Sequence, residues 1–288
     1  MDELHRDEEP TEEPVDERRR VWGLVLGILA VLVIIGGVYY ILVVRKPKPP
    51  ETAAQAAAPP ARSESEKTPA VPGLEPLAFP AVPLAASDEA VREFAAALST
   101  NPAFARWILS KDLIRTFVVA VDNVANGLSP KTHIGFFSPE GAFRVTRAKT
   151  GLFVDPAGAA RYAPVVDVVR SIDATAAVRL YRAVEPLAQE AYNELGYPGV
   201  DFDNTLERAM GELLETPVVE GPIRLEAKVL SQAMTDPALE GLSLAQKQLL
   251  RMGPKGVEAI QAKIREIAAV LGIPASRLPQ PKTYTTAK

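Results

Sequence analysis

The sequence predicts a mostly α chain of the α+β class, with a single N-terminal transmembrane helix, a Pro/Ala-rich linker, and a helical globular domain carrying a small β-hairpin. Three observations predict this. Residues 21–44, VWGLVLGILAVLVIIGGVYYILVV, hold no charged side chain. Residues 47–87 contain 10 Pro and 11 Ala and almost no aromatics, a composition that cannot bury a core. From Ser87 onward the apolar residues recur at helical spacing, broken by one short alternating stretch.

The layout follows in order. Residues 1–20 carry 4 Arg against 9 Asp or Glu and are interrupted by Pro, so they read as an acidic disordered tail. As a helix, the 21–44 run reaches about 36 Å, enough to cross a bilayer core of about 30 Å. Trp22 at one end and Tyr39 and Tyr40 at the other suit the headgroup level, and Arg18 to Arg20 and Arg45, Lys46 and Lys48 bracket the span. A cleaved signal peptide fits less well, because its apolar core is normally about 7–15 residues and a small-residue cleavage site is missing. Positive charge is nearly balanced across the span. A short tail ahead of an uncleaved anchor favours an N-terminus inside and a C-terminal domain in the periplasm of a bacterial inner membrane. Gly23 and Gly27 form a GxxxG pair on one helix face, where a homodimer could pack, although Gly is also common in membrane helices for other reasons. Residues 45–87 form the spacer, 88–272 the globular domain and 273–288 a C-terminal tail.

Within the domain, Ser87 with Asp88 and Glu89 reads as a cap and acidic first turn for a helix to about Leu98. Pro102 opens a short helix with Phe104, Trp107 and Ile108. Lys111 to Asn126 is helical and closed by Gly127. Its apolar residues cover nearly the whole circumference, which predicts a helix in the middle of a bundle. Phe143 to Arg147 and Leu152 to Val154 alternate around Lys149-Thr150-Gly151, as in a hairpin. A weak helix from Ala157 to Ile172 leads to Asp173, the cap of a long helix to about Leu195 that Pro186 should kink, since it removes a backbone donor and crowds the preceding turn. Val178, Tyr181, Leu187, Ala188 and Leu195 are its expected inward positions. Asp203, read as a cap, opens a helix to Glu215, Val218 to Val229 alternates as one or two strands, and Ser243 to Met252 is helical. The last helix starts at Pro254 and places Val257, Ile260, Ile264, Ile267 and Leu271 on one face.

The inventory excludes most chemistries. The chain has no Cys, which removes disulfides, thiolate zinc sites and cysteine nucleophiles. Residues 88–288 carry 23 basic and 23 acidic side chains, and this neutral balance argues against nucleic acid as a partner. His133 is the domain's one histidine and reads as structural. No G-x-S-x-G elbow, phosphate loop or dinucleotide fingerprint occurs, and Lys149-Thr150-Gly151 lacks the Ser-x-x-Lys that would make it catalytic. Asp201-Phe202-Asp203-Asn204 lacks the Gly and Glu of a calcium loop. No catalytic residue, cofactor or metal is expected. The awkward residues are Arg115, Asp122 and Asn123 on the apolar central helix, since a buried charge is costly unless paired. Arg115 and Asp122, seven residues apart, share a face and could line a polar groove or join a structural ion-pair network.

The stretches DLIRTFVVAVDNVANG (Asp112 to Gly127), ELGYP (Glu194 to Pro198), TPVVEGP (Thr216 to Pro222) and LSLAQKQLLRMGPKGVEAIQAKIREI (Leu242 to Ile267) resemble the bacterial domain-of-unknown-function family numbered three thousand fourteen. The run from Gln246 to Pro254 is its most specific part. The resemblance implies the same layout of membrane helix, spacer and domain, and no catalytic residues. Ser231 to Met234 departs from it by lacking aromatic residues before Asp236-Pro237. Two functions are expected from this reading: a membrane-tethered, non-enzymatic envelope module binding another protein or the cell wall, or a carboxylate-based hydrolase of cell-wall glycan.

Overall fold

The computed structural model describes residues 74–135, 143–228 and 232–286, all within one unit spanning residues 67–288. The acidic tail, the 21–44 run with Gly23 and Gly27, and residues 45–73 of the spacer lie outside the described residues. No described helix is long and apolar enough to cross a membrane.

The described chain is mostly helical with a small antiparallel sheet. Its elements run α1 (Asp88–Ala95), α2 (Pro102–Trp107), α3 (Leu113–Ala125), β1 (Val145–Ala148), β2 (Gly151–Val154), the single turn α4 (Pro156–Ala159), α5 (Ala163–Ser171), α6 (Ala174–Glu194) and α7 (Phe202–Leu214). They continue through β3 (Val218–Glu220), β4 (Arg224–Ala227), β5 (Gln232–Met234), the turn α8 (Pro237–Glu240), α9 (Leu244–Leu250), α10 (Gly253–Val270) and β6 (Thr283–Thr285).

Local chemistry explains most of the helix starts. Asn101, Asp155, Asp173 and Asp236 each accept a backbone N–H from the first turn of the helix they precede. Ser243 and Gln246 form a reciprocal capping box on α9. Two expected caps differ. Asp201 caps α7, and Asp203 sits in the first turn with its carboxylate free to accept from Tyr181 and Arg182. Ser87 stands at the start of α1, but its hydroxyl donates back to Leu84 O at 2.9 Å. The start of α3 borrows its cap: Asp112 is in a left-handed conformation, φ 53°, and Asp88 of α1 accepts the Asp112 and Leu113 N–H groups at 2.8 and 2.9 Å.

The largest core cluster joins α1, α3, α6 and α7 around Val118, Ala188, Tyr192 and Phe202. A second joins α5, α9 and α10 around Val166, Leu249, Val257 and Ile260. The long α6 runs unbroken past Pro186. It buries Val178 and Ala188 as expected, whereas Leu195 lies at its end, 41% exposed.

The β content exceeds the expected hairpin and the one or two strands expected over Val218 to Val229, which form as β3 and β4. β1 and β2 pair antiparallel, Val145 opposite Val154, and β4 and β5 extend them into a four-stranded sheet in the order β1-β2-β4-β5. β3 pairs in parallel with β6, Val219 opposite Tyr284. β5 and β6 have three residues each, too short to carry a visible alternation, and long-range pairing alone makes them strands. The flanks pack as well. Leu84 is buried in the main cluster with Leu77 and Phe79 against it, and Leu278, from the segment read as a tail, is buried among Val178, Leu214 and Ala268.

Candidate functional site

The central helix shows where the site is. On α3, Ile114, Val118, Val121 and Val124 form one buried stripe against α6 and α7. The remaining apolar positions are only partly covered, and Phe117, whose ring meets Tyr181 and Phe202 edge-on, is still 41% exposed. This second face of α3, with Phe117 and Ala120, forms one wall of a cavity of about 550 Å³. Trp107 of α2, Met210 and Leu213 of α7, Leu249 of α9 and Ile264 of α10 supply other walls. Its size falls within the roughly 300–1,000 Å³ typical of small-molecule sites.

The chemistry of the cavity is almost wholly apolar. Lys131, an exposed residue in the turn after α3, is the only charged side chain among its described lining residues. Ser110, Thr116 and Gln248 are the polar ones. Ser110 Oγ donates to Trp107 O at 2.9 Å, so that hydroxyl is occupied. Gln248 is 8% exposed, and its side-chain oxygen accepts from Arg251 at 2.9 Å. Its amide nitrogen has no acceptor among the described residues.

The backbone around the cavity is tightly specified. Gly127 ends α3 at φ +69°, and a Cβ there would come within 3.1 Å of the Ser243 Cβ, while its carbonyl accepts the Ala245 N–H at 3.1 Å. This close approach ties the end of α3 to the start of α9. Gln246 then reaches from the capping box to Glu212 O on α7, at 3.2 Å. The Gln246 to Pro254 run thus both braces the cavity and lines it, through Gln248, Leu249 and Met252.

The residues singled out in the sequence lie elsewhere. None of Arg115, Asp122 and Asn123 lines the cavity, and none is buried. Arg115 donates to both carboxylate oxygens of Glu194, at 2.7 and 3.0 Å, and to Asp112 at 3.3 Å. These bonds hold the Glu194 carboxyl below its ordinary range and raise the guanidinium. Asp122 instead accepts from Asn126 at 3.1 Å, one turn on. His133 is exposed at the end of a short turn. A second polar knot lies between α6 and α7, where Arg182 donates to Glu185 and Asp203 at 2.9 and 2.6 Å. Burial lowers the Arg182 pKa, but the bonds to Asp203 and Glu185 outweigh it and the net shift is upward. Burial, and then the bond to Asp203, raises Tyr181. Arg182 and Asp203 line a concavity of about 210 Å³ together with Glu207 and Arg277, which are themselves paired at 2.7 Å. Its charges are matched internally. Among the described residues no cluster of three metal-ligating side chains occurs.

Sequence reasoning found the walls of the cavity without finding the cavity. The available signal was the helix whose apolar residues cover too much of its circumference, a pattern read as burial on every side. In the structure, the surplus apolar face is lined with space.

A family model matches the chain. It is described as a protein of unknown function (DUF3014) and covers residues 113–268, more than half of the chain, and the chain belongs to that family. No curated protein and no solved structure matches it.

Proposed function

We propose that this member of the DUF3014 family is a non-enzymatic binding module of the bacterial cell envelope, held at the inner membrane by the 21–44 helix, whose domain receives an apolar ligand between α3, α7 and α10. The observation that carries the reading is the cavity of about 550 Å³ with one charged residue among its described lining residues. An apolar concavity of this size stays favourable to an apolar guest because there are few polar groups for water to bridge. The membrane part rests on the uncharged 24-residue run and its flanking cations, and the periplasmic placement on the insertion argument.

The glycan-hydrolase alternative lacks comparable support. A glycosidase needs two carboxylates across a cleft with different protonation roles. Asp112 and Glu194 meet on Arg115, and Glu185 and Asp203 meet on Arg182, so each of these pairs is bridged by a cation and not set across an open cleft.

Two measurements test the reading. A neutral naphthylamine dye should brighten on binding the full chain, and Ala120→Trp, which places an indole in the cavity, should abolish the brightening while leaving the far-ultraviolet circular dichroism unchanged. Dye binding equal in both proteins would overturn the cavity as the site. For placement, a C-terminal epitope should be protease-resistant in intact cells and cleaved in spheroplasts; protection until lysis would remove the envelope assignment.

A further inference from the structure

Resting on the apolar-ligand reading, we infer that the occupant is a single-chain amphiphile with an anionic head, of the long-chain carboxylate class, its chain in the cavity and its head on Lys131. Three features select this chemistry. The described lining is apolar apart from Ser110, Thr116, Gln248 and Lys131, so the body of the guest must be hydrocarbon. No Asp or Glu is among the described lining residues, so a cationic head would find no partner there, whereas an anionic one finds Lys131. Lys131 is exposed, so the head it holds stays at the solvent edge and the ion pair does not have to be desolvated.

Size agrees with one chain. Taking a methylene as comparable to a water, which occupies about 30 Å³ in the liquid, the cavity accommodates on the order of 15 to 18 carbons. Two acyl chains of membrane-lipid length exceed it. The Gln248 amide nitrogen, in a side chain 8% exposed, offers a neutral donor to an oxygen on the ligand. Large exposed apolar residues adjoin lining positions in sequence: Leu109 between Ile108 and Ser110, and Leu244 before Ala245.

Trp107 lines the cavity and serves as the reporter. In a Trp22→Phe background it is the sole tryptophan of the chain. The full chain, in phosphatidylcholine vesicles at fixed lipid, is titrated with dibromostearate and with the matching dibrominated stearyl alcohol, whose bromines quench indole only at contact distance. Comparing proteins for each ligand separately cancels its partition into lipid. Both ligands should quench Trp107. Lys131→Gln should weaken the acid about threefold to fivefold and leave the alcohol within about twofold, as expected for one ion pair at a solvent-facing rim. Lys131→Arg should restore the acid. Equal effects of Lys131→Gln on acid and alcohol, or none on either, would overturn the anionic head while leaving the apolar-ligand reading intact. Failure of both ligands to quench would overturn both.

Discussion

The joint between α7 and α10 provides a quantitative test of the framework that holds the cavity open. Gln261 of α10 is 5% exposed, and its amide nitrogen lies 3.1, 3.2 and 2.8 Å from the carbonyls of Leu213, Leu214 and Thr216 at the C-terminus of α7. A helix C-terminus leaves four carbonyls without helical partners, so one side chain from a neighbouring helix satisfies much of that deficit. Leu213 O also receives the Thr216 N–H at 3.2 Å, so the loss in a variant falls mainly on Leu214 and Thr216. Both residues are fully buried, at 0% exposure. Gln261→Met keeps the length of the side chain and removes the donor. Leaving a buried acceptor unpaired costs about 1–3 kcal/mol, and two acceptors with partial relaxation put the expected loss at about 2–4 kcal/mol. Urea denaturation followed by circular dichroism should show a lower midpoint with an unchanged slope. A loss below about 0.5 kcal/mol would refute the assignment of Gln261 as the cap of α7, because at that level the carbonyls must be satisfied by other means.

Other outcomes follow from neighbouring contacts. Thr216 Oγ1 is buried with no hydrogen-bond partner among the described residues, so Thr216→Val should be neutral or stabilising by up to about 1 kcal/mol in the same denaturation assay, opposite in sign to Gln261→Met. Asp88→Ala should destabilise by about 1–2 kcal/mol, since it removes the acceptor for both N–H groups at the start of α3, and Asp88→Asn should recover part of this. Glu194 has its folded-state pKa depressed by Arg115, so its contribution is present above the unfolded value of about 4.3 and is lost as pH falls through the folded value. The stability difference between wild type and Glu194→Gln should therefore be constant near neutral pH and close on acidification below about pH 4; a difference that widens on acidification would contradict the pairing.

Much of the architecture is local chemistry and was legible as such. Pro102, Asp173 and Ser243 each open a helix where they were expected to, because capping and first-turn preferences act over three or four residues. The hairpin around Lys149-Thr150-Gly151 formed for the same reason, with Gly151 at φ +142°. Where two local signals compete, tertiary partners decide. Asp201 and Asp203 are both plausible caps, and Asp203 is drawn away from that role by Tyr181 and Arg182 on the neighbouring helix.

The sequence by itself determined the helix-rich class, the charge balance of residues 88–288 and the absence of Cys that narrow the chemistry, and the uncharged 24-residue run. These are properties of composition and short-range periodicity, and folding does not change them. Tertiary structure decided which apolar face is covered. Periodicity shows that α3 is apolar on nearly every side, but only the spacing of α2, α7, α9 and α10 around it makes Phe117 and Ala120 part of a cavity wall. It also decided that Arg115 pairs with Glu194, 79 residues away, rather than with Asp122 on its own helix. Contacts between distant residues depend on how whole elements pack, and no local pattern in a single chain encodes that distance.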